Sequence, residues 1–192
     1  MTFFLVGLAI FFGLHIYSAT RSRHAEYDLK KRMGYGLFMS GYSLISLIGF
    51  GLIVYGYGAT RGFGVLYVPP VWMQHINLVL MMPALILLVA SQLPPGRITK
   101  VTKHPMLLAV KLWALGHLLA NGELNSLILF GSFLAYAVFD RIMVKRRGDN
   151  GPGPDVVLQG RMDLIAIVAG LGTWAAIAFW LHPILFGVPA IS

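Results

Sequence analysis

The chain has 192 residues, 57% of them hydrophobic and only 11% charged, with fifteen Lys and Arg against seven Asp and Glu for a formal net charge of +8. A soluble domain carries about 25% charged residues, so most of this surface must face lipid or membrane-buried protein. Cysteine is absent, which excludes disulfides, thiolate nucleophiles, Cys-ligated zinc, iron–sulfur clusters and covalent haem attachment.

The N-terminal stretch MTFFLVGLAIFFGLHIYSATR lacks the basic leader of a signal peptide and reads as a retained first span. Apolar windows at about residues 2–20, 34–58, 71–93, 105–121, 123–144 and 162–186 predict an all-α, polytopic transmembrane bundle of about six helices. The whole chain, 1–192, reads as a single domain without an internal repeat. GYGATRGFG at 56–64 misses a dinucleotide-binding spacing and reads as a flexible outer loop. Glycines 34, 36, 41, 49 and 51 in the second span permit close helix packing. LPPGR at 93–97 and GDNGPGPD at 148–155 are turn-rich breaks.

Lys and Arg number five in residues 21–33, one in 59–70, three in 94–104, none in 121–123 and five in 141–161. This alternation puts the first, third and fifth loops in the cytoplasm and both termini outside. It also explains the net charge without a nucleic-acid partner, for which no motif is present. The expected partner is the lipid bilayer. Lys111 alone remains inside a span, and snorkelling along its stem would let it reach the cytoplasmic headgroups.

Three histidines fall at membrane depth. His15 lies six residues before Arg21, about 9 Å from the cytoplasmic edge, while His117 and His75 each lie about 6 Å from the outer edge. His104, followed by Pro105, opens the fourth span, and its two roles, helix start or site, stay open. His24 and His182 read as solvated interfacial residues. Interhelical hydrogen bonding is one account of an intramembrane histidine. Axial ligation of haem iron by neutral imidazole is the other. Carboxylates lie in loops or at span ends, so no paired-carboxylate site is expected.

The run KHPMLLAVKLWALGHLLANGELNSLILFGSFLAYAVFDR, with VWMQHINLVLMMPALILLVAS before it and the early GLHIYSATR, closely resembles the NnrU family of bacterial membrane proteins. That resemblance implies an inner-membrane protein associated with nitrate, nitrite and nitric oxide metabolism, without a defined reaction. More distantly, the chain is similar to plant zeta-carotene isomerase, a membrane enzyme holding haem b between histidines. The similarity implies a non-covalent haem b here, with His117, four residues after Trp113, as one ligand and His15, ahead of Arg21, as the other. Depth alone favours His75 as the partner of His117. Arg21, Arg23 or Lys111 would pair with the propionates if these point toward the cytoplasm. Where the plant enzyme has a cysteine three residues before its second histidine, this chain has Ala114, so a switch to thiolate ligation has no residue to use. The "HPM" at 104–106 is also shared with isoprenylcysteine-type methyltransferases, but the glutamate and paired tyrosines of their cofactor pocket are missing from DRIMVKRRGDNGPGPD. The expected function is an accessory, sensing or electron-transfer haem protein of nitrogen-oxide metabolism. A haem-dependent isomerase or redox enzyme on a lipophilic substrate is the alternative, and a transporter is the weaker one.

Overall fold

Each of the six apolar windows becomes a helix in the computed structural model, which describes residues 1–24 and 26–190. Ala25 and the last two residues of the expected domain lie outside the described residues. The elements are α1 Thr2–Thr20, α2 Leu29–Met33, α3 Tyr35–Gly58, α4 Val71–Ala90, α5 Arg97–Thr102, α6 Pro105–Ala120, α7 Leu124–Arg146, α8 Gly160–Ala176 and α9 His182–Phe186. A π-helical turn, Ile177–Leu181, joins α8 to α9. Pro183 explains that turn. It lacks the N–H that would bond the carbonyl of residue 179, and its ring crowds that carbonyl, so the register widens just before it.

Five helical segments are long and apolar enough to cross a membrane: α1, α3, α4, α7 and the continuous 160–186 segment. The chain is thus an all-helical, multi-pass membrane protein. The sixth, α6, has sixteen residues, about 24 Å at helical rise against a hydrocarbon core of about 30 Å. The short helices α2 and α5 lie within breaks that the sequence pattern marked as loops. Both are too short to show a period, and each is held from outside. Asp28 accepts the N–H of Lys30 at the start of α2. Asp163, from α8, accepts the N–H groups of Arg97 and Ile98 at the start of α5, at 2.8 and 3.0 Å.

The described residues divide into two compact units, 1–65 with 123–125, and 66–122 with 126–190. In the first, α1 packs along α3. A Cβ on Gly7 would stand 2.7 Å from the Ile53 nitrogen, and one on Gly56 would stand 2.6 Å from the Phe4 Cα. Small residues at these crossings let the backbones approach, the usual way helices associate where lipid removes the hydrophobic drive. Of the glycines flagged in the second span, Gly49 does this, while Gly36, Gly41 and Gly51 face open space. Residues 56–58 belong to α3 rather than to a flexible loop, and Thr60, buried just beyond, returns its hydroxyl to the Gly56 carbonyl at 2.8 Å.

In the second unit α4 is central, with α6 and α8 packed against it. Gly116 of α6 admits the Asn77 side chain and the Met81 methyl, and Gly170 of α8 lies against the Ile86 backbone. The Trp174 indole donates to the Leu78 carbonyl at 3.0 Å, fixing α8 on α4. At the α6 entry His104 is the N-cap residue and Pro105 the first helical one. The His104 Nε2 meets the Asp149 carbonyl at 3.2 Å and its carboxylate at 3.5 Å, joining the 148–155 loop to the start of α6.

Candidate functional site

Trp113 and His117 are one turn apart on α6, so both point to one face. The His117 Nδ1 lies 2.9 Å from the Trp113 carbonyl. A carbonyl only accepts, so Nδ1 donates, and the neutral ring carries its lone pair on Nε2. The ring stacks on Phe130 of α7, with centroids 4.6 Å apart and planes 27° from parallel. Trp113 stands edge-on to Phe130 and Phe133 at 5.0 and 5.3 Å. Asn121 donates to the His117 carbonyl at 2.9 Å, and the Tyr67 hydroxyl bonds the carbonyls of Leu118 and Asn121. These bonds hold the C-terminal end of α6 and tie it to Tyr67. Asn77, seated against the neighbouring Gly116, keeps a buried side-chain oxygen without a hydrogen-bond partner.

His15 repeats the arrangement in the first unit. Its Nδ1 lies 2.7 Å from the Phe11 carbonyl, its ring stacks on Phe11 at 4.1 Å and 27°, and Tyr42 of α3 stands 5.5 Å away. Phe11 and Tyr42 also line an open groove of about 290 Å³ with Ser43, Ser46, Leu47 and Phe50.

The other candidates are placed differently. His75 is exposed on α4, about 200° around the helix from Asn77, which faces α6. Arg21 is held by the Asp28 carboxylate, with side chains only 8% and 4% exposed, and its guanidinium lies over the Phe38 ring at 5.7 Å. Its Nε is buried without a partner. The Arg21 guanidinium beside Asp28 holds that carboxyl below its usual range, helped by the Lys30 N–H, while burial opposes the shift. Arg23 lines a basic cavity of about 620 Å³ with Arg21, Lys30 and Lys31. His104 serves the loop contact already described. His24 is exposed, and the His182 Nδ1 donates to the Val188 carbonyl at 2.6 Å. Lys111 is half-buried on α6.

Sequence reasoning passed over two residues. Asn77 carries no signal in an apolar run beyond being its one amide besides Gln74. Arg141 was counted with the loop cations, although it lies within the 123–144 apolar window. It sits on α7, half-buried, with Nη1 sealed from solvent and unpartnered. Among the described residues no group of three or more His, Cys, Asp or Glu could hold a bare metal ion.

This is a multi-pass helical membrane protein in which two imidazoles on separate helices, His15 and His117, are each anchored through Nδ1. Residues 3–190 match the family model described as NnrU protein, and the chain belongs to the NnrU family. Searches of curated proteins and of solved structures returned no match.

Proposed function

We propose that the protein is a b-type haem-binding member of the bacterial inner membrane, serving nitrogen-oxide metabolism as an accessory, sensing or electron-transfer component. The observation that carries this is the anchoring of His117. A ligand histidine characteristically donates its second ring N–H to a carbonyl, which fixes the tautomer and the ring plane, and His117 does so toward Trp113 within an aromatic wall. The donor set suits haem iron: neutral imidazole, no cysteine thiolate to compete and, among the described residues, no metal-holding carboxylate cluster.

When haem is bound, His117 would supply one imidazole nitrogen to the iron. His15 is our candidate for the second, supported by the same Nδ1–carbonyl anchor and by the resemblance to the plant enzyme. The exposure of His75 makes it the second choice. The haem, when bound, supplies a one-electron couple. The chain contributes the rest: it orients the imidazoles, packs Phe130 and Trp113 against one of them, and excludes water. The basic loops supply the expected orientation, with both termini periplasmic.

The aromatic-walled groove beside His15 favours a second reading, in which a lipophilic molecule binds there and the protein acts on it as a haem-dependent isomerase or redox enzyme. Absorbance spectra of the purified protein, oxidised and then dithionite-reduced, test the haem itself. A Soret band with sharp α and β bands on reduction is expected. A featureless visible spectrum, after growth with adequate haem supply, rejects both forms.

A further inference from the structure

A cavity of about 620 Å³ in the first unit gathers four cations, Arg21, Arg23, Lys30 and Lys31, and one carboxylate, Asp28. Its size falls in the range of small-ligand sites, about 300–1,000 Å³. Asp28 is buried at the centre of the segment that builds it. Its carboxylate holds the Arg21 guanidinium and accepts the Lys30 N–H at 3.0 Å, and its own N–H donates to the His24 carbonyl at 2.9 Å. The Lys31 Nζ donates back to the Arg23 carbonyl at 3.0 Å, and the Lys30 Nζ lies 4.6 Å from the centre of the Tyr35 ring. Gly34, at φ +83°, turns the chain from α2 into α3, a conformation that a side chain would strain.

Asp28 neutralises Arg21 and leaves the other cations unmatched. Among the described residues the ion pairs are Arg21–Asp28 and His104–Asp149, and neither includes Glu26, the other acid of the segment, which is exposed. Arg23, Lys30 and Lys31 thus line the cavity without a carboxylate partner. Orientation of the chain in the membrane asks only that such cations reach water. It does not ask that two of the heads be tied back around a common cavity.

The position of the cavity says which anion suits it. Both α1 and α3 are long and apolar enough to span a membrane, and the cavity lies between the end of one and the start of the other, at headgroup level. Leu29 and Met33, one turn apart on α2, are exposed beside it, as is Tyr35 on its wall. A free inorganic anion would leave those apolar groups in water, whereas the acyl chains of a lipid would cover them. A zwitterionic headgroup would bring its own cation among three unmatched ones.

We propose that this cavity binds the phosphate headgroup of an anionic phospholipid. Arg23 offers a fork of donors to the phosphate oxygens, Lys30 and Lys31 add point charges, and the Arg21–Asp28 pair positions all three. Basic pockets beside membrane spans bind such headgroups. The inference stands without haem.

The full chain, purified in neutral detergent and stripped of lipid, is melted with increasing phosphatidylglycerol or phosphatidylcholine in the micelles. A parallel series compares sodium phosphate with sodium chloride at equal ionic strength. Phosphatidylglycerol should reach half its maximal shift in melting temperature at a mole fraction at least about tenfold below that of phosphatidylcholine. Sodium phosphate should do no more than sodium chloride. The lipid preference should fall in part in Arg23→Gln, which alters an exposed residue outside the helices. It should approach unity when Lys30→Gln and Lys31→Gln are added. Lys30→Arg with Lys31→Arg keeps the charge and should keep the preference. So should Lys100→Gln, Lys145→Gln and Arg146→Gln together, which remove the same charge from exposed positions in the second unit. A shift by sodium phosphate as large as that by the lipid assigns the cavity to a free anion and overturns the lipid reading. Equal response to the two lipids, a preference that survives the first triple variant, or one that falls as far in the second overturns the cavity as the site.

Discussion

His117 donates its Nδ1 hydrogen to the carbonyl of Trp113, 2.9 Å away and one turn earlier on α6. His15 and Phe11 repeat the relationship on α1 at 2.7 Å. A helix offers this carbonyl only to a side chain that turns back along its own axis, so both rings are held in one tautomer before any ligand arrives. Pre-orientation of this kind lowers the ordering cost of coordination.

His117→Ala should therefore abolish haem binding or convert a six-coordinate low-spin spectrum to a five-coordinate one. His15→Ala should do the same, whereas His75→Ala should do so only if His75 is the second ligand. Trp113→Phe keeps the accepting carbonyl and should perturb the spectrum far less than His117→Ala. His24→Ala and His182→Ala should leave it unchanged. Spectra of the purified variants, compared at equal protein concentration, decide the set.

Glycine contacts predict opposite outcomes for two neighbours in α3. Gly56→Ala forces a methyl into the Phe4 backbone and should cost about 1–3 kcal/mol, the usual penalty of overpacking. Gly51→Ala meets open space and should be neutral or stabilising by up to about 1 kcal/mol from helix propensity. Unfolding in mixed micelles compares them, and equal losses at both sites would contradict the α1–α3 register.

The Asp28 carboxyl titrates below its ordinary value because Arg21 favours its charged form. A depressed folded-state pKa contributes stability that is present above the unfolded value and is lost as pH falls through the folded one. The first unit should thus lose stability below about pH 4, the ordinary aspartate range. Asp28→Asn should weaken the protein at neutral pH and flatten that acid dependence. Thermal melts from pH 3 to 7 would show it, and an unchanged acid limb in Asp28→Asn would contradict it.

Orientation can be read with single cysteines, since the chain has none of its own. Thr60 is buried, so the exposed Arg61 is the better site in the 59–70 loop, with the exposed Asn150 in the 148–155 loop. Arg61→Cys should label from outside intact cells and Asn150→Cys only after lysis. Labelling of both from the same side would remove the alternating topology.

The sequence by itself determined the spans. The run from Thr2 to Thr20 and the one from Val71 to Ala90 are helices because a long apolar stretch in lipid must satisfy its backbone internally, a requirement that needs no knowledge of neighbours. It also singled out His15 and His117, since imidazoles are conspicuous among apolar residues. Their i−4 anchors follow once each is placed on a helix. Tertiary structure alone decided the partners. Gly56 touches Phe4 while Gly51 touches nothing, although both sit in the same glycine-rich helix. Arg21 is engaged by Asp28, whereas Arg141, which reads in the sequence as one more loop cation, has one buried nitrogen without a hydrogen-bond partner. Apolar length is a local property of the chain. Which face of a helix meets another, and at what height, depends on the rotation and offset of two helices together, and a small change in either exchanges every partner along the seam.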